Sequence, residues 1–293
     1  MALVNWQNVI DAENNGQFLW TTWRKTPTQT TGAGIWFDLS MSPGNPVPNY
    51  YAASPTISIA LAQSTDGGIY HGGNLAPLGK KLYLKTFMSL TTTAAAVPLP
   101  MILCDYLMYY PFMDMSITGP QSTTSSIALP RYAGGAGVQM IAVVVAAPSG
   151  AGNPVFQVTY TNSAGVSGQV TPAVACNTQV VNGTLANSQP TNVAGNRGTT
   201  GPFIQLAPGD TGIRTIDSVN FLTPDVGLIT FVLVKPLMNT MIRTIDAPAE
   251  RVTIMDANTF PVIQDDAFLN LLCMPNGSLS GAPIHGYMQT IWM

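Results

Sequence analysis

The chain has 293 residues, enough to bury a substantial core as one large β domain or two ordinary ones, yet only 9% are Asp, Glu, Lys or Arg, against roughly 25% in a typical soluble domain. The formal net charge is −3 and the eleven Lys and Arg are scattered, which argues against nucleic acid as the principal partner, because neutralising phosphates takes clustered cations. Glutamate occurs only as Glu13 and Glu250 and histidine only as His71 and His285, so the residues that do most acid–base and metal chemistry are scarce. A non-enzymatic protein without cofactor or metal is expected.

The opening "MALVNWQNVIDAENNGQF" has neither a basic n-region nor an apolar core of signal-peptide length, which predicts folding in the cytoplasm. "NVIDAENN" is long enough for two helical turns, and residues 1–35 are read as an N-terminal arm carrying that short helix. Residues 36–293 then form the main domain. It begins with "WFDLSMSPGNPVPNYYAAS", where Pro43, Pro46 and Pro48 hold the backbone near polyproline geometry and remove three amide donors. The segment therefore cannot be a central strand. It is predicted to be a strap, with Tyr50 and Tyr51 as rigid contacts on the sandwich edge or on a neighbouring subunit.

Period-two alternation follows in "TISIALAQ", from Thr56, with Ile57, Ile59 and Leu61 on one face, and less strictly in "LYLKTFMSL". The apolar run Met101 to Tyr110 fits a buried helix or a strand by pattern alone. Pro100 in a first helical turn and Pro111 as a stop favour a short helix. Tyr106, Tyr109, Tyr110 and Phe112 with Met108, Met113 and Met115 read as core, or as an uncharged partner surface. "LPRYAGGAG" lacks the GK[ST] ending of a phosphate loop and reads as a linker. Its Arg131, beside Tyr132, is placed to pair with a carboxylate or with a carbonyl of another subunit.

Val138 to Ala147 and Gly227 to Val234 are apolar on both faces and β-branched, as central strands are. The first is about half the ~20 residues of a membrane helix, and no membrane association is expected. Between them, about 147–202 is rich in Gly, Ser, Thr and Asn and has Arg197 as its only charge, which predicts an exposed lobe of hairpins and long loops. "FQVTYTN" within it alternates, with Phe156, Val158 and Tyr160 on one face. The "IRTID" echo at Ile213 and Ile242 is too little for a repeat. Asp66-Gly67, Asn182-Gly183, Pro208-Gly209 and Asn276-Gly277 punctuate the chain as turns. The sum is a mainly β protein, an antiparallel β-sandwich or jelly-roll-like fold with one or two short helices and long loops.

Candidate chemistry is thin. Cys104, Cys176 and Cys273 have no CxxC spacing and read as buried, idle thiols. His71 in "DGGIYHGGN" and His285 in "SGAPIHGYM" have no nucleophile elbow nearby. Asp265-Asp266 lacks calcium-loop spacing and reads as a surface turn, and Asp105 and Asp114 cannot be read from spacing as a glycosidase pair.

Several segments together carry a family resemblance: "FDLSMSPGNPVPNYYAAS", "CDYLMYYPFMDMSITGPQ", "LPRYAGGAGVQM", "VTYTNSAGVSGQVTP" and "PNGSLSGAPIHGYMQTIW". In that order the chain resembles a group of tailed-bacteriophage virion structural proteins. The resemblance implies a non-enzymatic part of the particle, made in the bacterial cytoplasm and placed on the head surface. A capsid decoration or cement protein is favoured over the main shell protein, because the long charged spine helix of the common phage capsid fold is missing. Its partners would be the major capsid protein and other virion proteins, with self-association as a homo-oligomer, a trimer favoured. Pro43, Pro46, Pro48, Tyr50, Tyr51, Tyr109, Tyr110, Arg131 and Tyr132 are the interface candidates. The alternative is a tail-fibre or receptor-binding protein that uses the 147–202 lobe, although no sustained β repeat supports it. A bacterial outer-membrane barrel is disfavoured by too few alternating segments of ~10 residues.

Overall fold

A computed structural model describes residues 6–52, 57–123, 127–177, 181–188, 201–253, 255 and 260–293. Among the described residues strand accounts for 43% and helix for 8%, which makes the protein mainly β, with antiparallel sheets in a sandwich-like arrangement. In chain order the elements are α1 (Trp6–Asn14), β1 (Phe18–Lys25), β2 (Phe37–Asp38), β3 (Gly44–Asn45), β4 (Ile59–Ala60), α2 (Gln63–Asp66) and β5 (Leu82–Thr91). Next come β6 (Leu99–Tyr109), β7 (Met113–Asp114), β8 (Gly119–Ser122), β9 (Gln139–Ala146), β10 (Val155–Asn162), β11 (Gln169–Val170) and β12 (Val174–Ala175). The chain ends with β13 (Ile213–Phe221), β14 (Leu228–Ile242), β15 (Ala249–Val252), β16 (Val262–Ile263), β17 (Phe268–Cys273) and β18 (Ile284–Trp292).

The central sheet runs β2-β17-β6-β14, with β9 on the far side of β14. Its hydrogen bonds do not stop there. Val144 N–H donates to the Thr184 carbonyl and Ala186 N–H to that of Ala142, while Asp38 N–H donates to Gly183 and Leu185 N–H to Trp36. Residues 183–186 thus join β9 to β2, and the sheet closes on itself. Period two then gives each strand an inner and an outer face. Cys104 and Tyr106 of β6, Ile141 and Val143 of β9, Val232 and Val234 of β14, and Phe268 and Leu272 of β17 form one inner cluster.

The outer faces serve two further cores. At one end Met101, Leu103, Leu269 and Leu271 pack with Trp23, Leu84, Phe87 and Met288 of the sheet formed by β1, β5 and β18. At the other end Leu107, Met140, Ala142, Phe231 and Leu233 pack with Phe156, Val158, Tyr160, Ile216 and Val219 of the sheet formed by β10 and β13. One curved sheet is shared by two sandwiches. Close approach in the first of these requires Gly286: an added Cβ would lie 1.8 Å from the Met88 carbonyl oxygen and 3.0 Å from the Trp23 ring.

Three expectations are corrected. Met101 to Tyr109 belongs to strand β6, with Tyr110 just past its end, because alternate residues of β6 face different cores and both its edges are paired, to β14 and to β17. Such two-sided burial leaves no helical stripe. The N-terminal arm stops at α1, since Phe18–Lys25 pairs along its length with β18 and supplies buried Trp23. The 147–202 stretch is not an exposed lobe where it is described: Phe156, Val158, Tyr160, Val174, Cys176 and Leu185 are all buried. The turn at 164–168 is exposed, but Thr171, Asn177, Thr184, Asn187 and Ser188 are buried with the strands; 178–180 and 189–200, with Arg197, lie outside the described residues, as does Thr56. The alternation in "TISIALAQ" yields only Ile59–Ala60 as strand, with Leu61 buried and Ile57 exposed.

Val138 to Ala147 and Gly227 to Val234 do supply strands buried on both faces, as their composition predicts. Pro236 sits in β14 two residues past the last pair with β9, beside a register shift, where a missing donor is tolerated.

Phe156 packs against Phe221 and edge-on against Phe231, with ring centroids 5.9 and 5.6 Å away. Phe156→Ala should lower unfolding free energy by about 3–5 kcal/mol in urea titrations, the cost of a shared core and not of a peripheral lobe.

Candidate functional site

The strap is tied down from below. The Lys25 ammonium lies buried under it and donates to the carbonyls of Ser40 (3.4 Å), Ser42 (3.1 Å) and Pro46 (2.9 Å). Burial brings its pKa down to about 8, with nearby Asp38 pulling the other way. Asp38, on the inner side of β2, accepts bonds from Ser40 N–H and Oγ, from Tyr106 Oη (2.8 Å) and from Tyr51 Oη (2.8 Å). Burial, and the Asp38 charge next, push both tyrosine hydroxyls well above their ordinary range. The chain leaving the strap is held by Ala52 N–H on Tyr109 Oη and by the Tyr51 and Tyr109 rings, 5.1 Å apart.

Both ends are fixed and the middle faces solvent: Val47 is 66% and Tyr50 67% exposed. At the start, Thr26 N–H donates to Pro43, and Gly44–Asn45 pairs with Arg24 and Lys25 at the edge of β1. The strap therefore packs on the sheet edge of its own chain.

A second polar cluster marks the boundary between the two outer cores. On the outer face of β6, Leu103 belongs to one core and Leu107 to the other, and Asp105 lies between them. Arg131 grips Asp105 with Nε to Oδ2 at 2.8 Å and Nη2 to Oδ1 at 2.7 Å, and also donates to the Tyr106 carbonyl. Phe268 N–H adds a bond to Asp105. Burial pushes the Asp105 carboxyl above the usual carboxylate range, against the downward pull of Arg131. Tyr132, at φ 53°, lies with its ring 5.6 Å from the Lys235 ammonium, which donates to Ala136. His71 is buried beside this cluster with no well-formed hydrogen bond to either ring nitrogen. Burial brings its pKa down to about 4; the Ala267 backbone and the charges of Asp266 and Asp265 oppose that shift, while Arg131 reinforces it.

The interface candidates thus divide. Tyr51, Tyr109, Tyr110, Arg131 and Pro46 are buried within this chain and are corrected to anchors, because each finds its partner internally; Arg131 in particular pairs with Asp105 and not with another subunit. Tyr50 is open, and Pro43, Pro48 and Tyr132 are half-buried. Sequence reasoning missed Lys25 and Asp38, whose only signal was that each is a charge beside an apolar run.

None of these groups forms a nucleophile–base pair. Asp265 accepts from Leu75 and Ala76 N–H, and Asp266 from Ser64 N–H and Oγ, so the two adjacent aspartates close separate loops at a turn. Asp105 is buried and Asp114 lies near solvent in its own turn with Ser116. Among the described residues no group of three or more His, Cys, Asp or Glu could hold a metal ion. The three cysteines are buried and unpaired to one another. Among the described residues no helix is long and apolar enough to cross a membrane. Comparison with protein-family models finds none that matches the chain, and comparison with curated proteins finds no match.

Removing Arg131 strands a buried carboxylate. Arg131→Met should cost about 3–5 kcal/mol in chemical unfolding, whereas adding Asp105→Asn should recover a large part of the loss. His71 gives the fold an acid limit. Its folded pKa lies below its ordinary 6.5, so between about pH 6.5 and 4 the unfolded chain binds the extra proton and stability falls with pH, by up to about 3 kcal/mol. The difference in unfolding free energy between the wild type and His71→Leu, followed from pH 7 to 4, should change by that amount. A flat difference would remove His71 as the cause.

Proposed function

We propose that the chain is a structural protein of a tailed-bacteriophage particle, a decoration or cement protein that binds across seams of the major capsid protein. The observation that carries this reading is the strap: an uncharged, proline-stiffened segment fixed at both ends by buried groups, with Val47 and Tyr50 projecting from it. A contact segment fixed in place loses little conformational freedom on docking, so more of its contact energy remains as affinity. Low charge supports the same reading, because neutral hydrogen-bonding surface is buried without stranding ions. A standard interface of ~1,600 Å² suffices for specific binding, and repetition over a closed shell multiplies it through avidity.

The mechanism is mechanical. Each copy bridges neighbouring capsomers, and its contact area must be given up before they separate. Electron microscopy of particles with and without the protein locates it, and heat or low-salt challenge of the two kinds of shell measures the cement effect. Density on the tail instead of the head would favour the receptor-binding alternative, and equal shell stability would remove the cement mechanism.

The two tyrosines separate docking from folding. Tyr50→Ala should leave unfolding free energy within about 0.5 kcal/mol and weaken binding to bare shells. Tyr51→Ala should lower unfolding free energy by about 3 kcal/mol or more, since it opens a cavity and removes a donor to Asp38.

A further inference from the structure

We infer that β1 is a self-pairing edge through which two copies of this chain join their sheets across a two-fold axis. β1 pairs with β18 along its whole length, but on its other side β3 covers only Arg24 and Lys25. The backbone groups facing that side belong to the even-numbered residues: the Thr22 carbonyl accepts from Asn45 Nδ2, and the Arg24 carbonyl points at Gly44. By the alternation of an antiparallel ladder, Phe18 and Trp20 then turn both their N–H and C=O to the open edge, and Thr22 its N–H. No described residue pairs with them there.

Open edges are normally blunted by proline, lysine, a bulge or a covering loop. From Phe18 to Thr22, "FLWTT", there is no proline and no charge, and the register with β18 has no shift. Helix α1 lies on the face of the sheet and not along this edge: Val9 packs with Tyr83 and Ile291, against which the Phe18 ring also rests, and Glu13 pairs with Lys85 and Gln289.

The occupant follows from register. β3 blocks the edge beyond Thr22, so the free segment is centred on Trp20. A second β1 laid antiparallel about that centre places Trp20 opposite Trp20 of the second copy and Phe18 opposite Thr22. The two Trp20 residues then exchange both their bonds, the Phe18 carbonyl accepts from Thr22 N–H, and the Phe18 N–H shares the Thr22 carbonyl with Asn45 Nδ2, whose own contact is long at 3.4 Å. Arg24 falls beyond the paired segment, and no like charges meet. The centre is also where exposed apolar surface lies: Trp20 is 51% exposed, its indole resting edge-on against Tyr287 at 5.0 Å. Pairing covers both indoles and adds the aromatic cross-strand contact that favours such a register. This contact is independent of the capsid-binding reading and uses a different surface from Val47 and Tyr50.

Sedimentation equilibrium of the purified chain should show a reversible dimer. Trp20→Lys should raise its dissociation constant at least tenfold while leaving the circular dichroism spectrum and melting temperature nearly unchanged. Register is read by mixing Phe18→Cys and Thr22→Cys chains with a short bis-maleimide. Cross-linking is expected in the mixture and not in Thr22→Cys alone, whose two thiols would lie about 13 Å apart along the strands. A strictly monomeric chain, a dimer indifferent to Trp20→Lys, or efficient linking of Thr22→Cys to itself would each overturn the inference. A monomer whose β1 amides become protected only within assembled particles would assign the edge to a strand from another protein.

Discussion

The pairing of β6 with β14 is the constraint on which the rest depends. From Leu99↔Ile242 to Tyr109↔Val232 the two strands run side by side with register shifts at two places, and between them they contribute to all three cores. Their inner faces fill the closed sheet. Their outer faces pass from one sandwich to the other, so neither sandwich can slide or separate without breaking this ladder. A one-residue slip would exchange inner and outer residues along both strands, sending Tyr106 away from Asp38 and Asp105 into the interior.

That coupling explains where the buried charges sit. Asp105 occupies the point at which the outer face leaves one core and enters the next, a position where neither apolar cluster closes over it and where Arg131 can reach it with two parallel bonds. Asp38 occupies the mouth of the inner cluster, with four donors. In each case the charge is held by several groups from distant parts of the sequence, which makes the arrangement a lock on topology more than a source of net stability, since a buried pair gains little over an apolar one of the same shape. The strap inherits its position from the second lock, through Tyr51 and Lys25.

Much of the fold was legible in residues whose pattern has one physical meaning. The β-branched runs around Val143 and Phe231 were readable as two-sided strands because no polar residue interrupts them, and Pro43, Pro46 and Pro48 excluded a central strand because they cannot donate. The apolar run at Leu103 was not readable, since a segment buried on both faces shows neither a helical nor an alternating stripe, and flanking prolines fit either outcome. The lobe was misread for a related reason: Phe156 and Tyr160 alternate with Gln157 and Thr159, but the Gly- and Asn-rich turns around them dominate composition. Of the site, Tyr50 and Tyr51 were found as a pair; their opposite fates depend on which side of the strap meets Asp38.

Sequence by itself determined the class of the protein and its surface character: a β chain with few charges, stiff where proline repeats and poor in the residues that catalysis uses. Those properties are local, fixed by side-chain chemistry and backbone restriction at each position. Tertiary structure decided which polar groups are anchors and which remain open, closed the central sheet through residues 183–186, and left the edge of β1 from Phe18 to Thr22 without a paired strand among the described residues. These are relations between segments as far apart as Lys25 and Pro46, Asp105 and Phe268, or β1 and β18, and no pattern within a single segment encodes them, because the energy of each pairing exists only once both partners have been brought together.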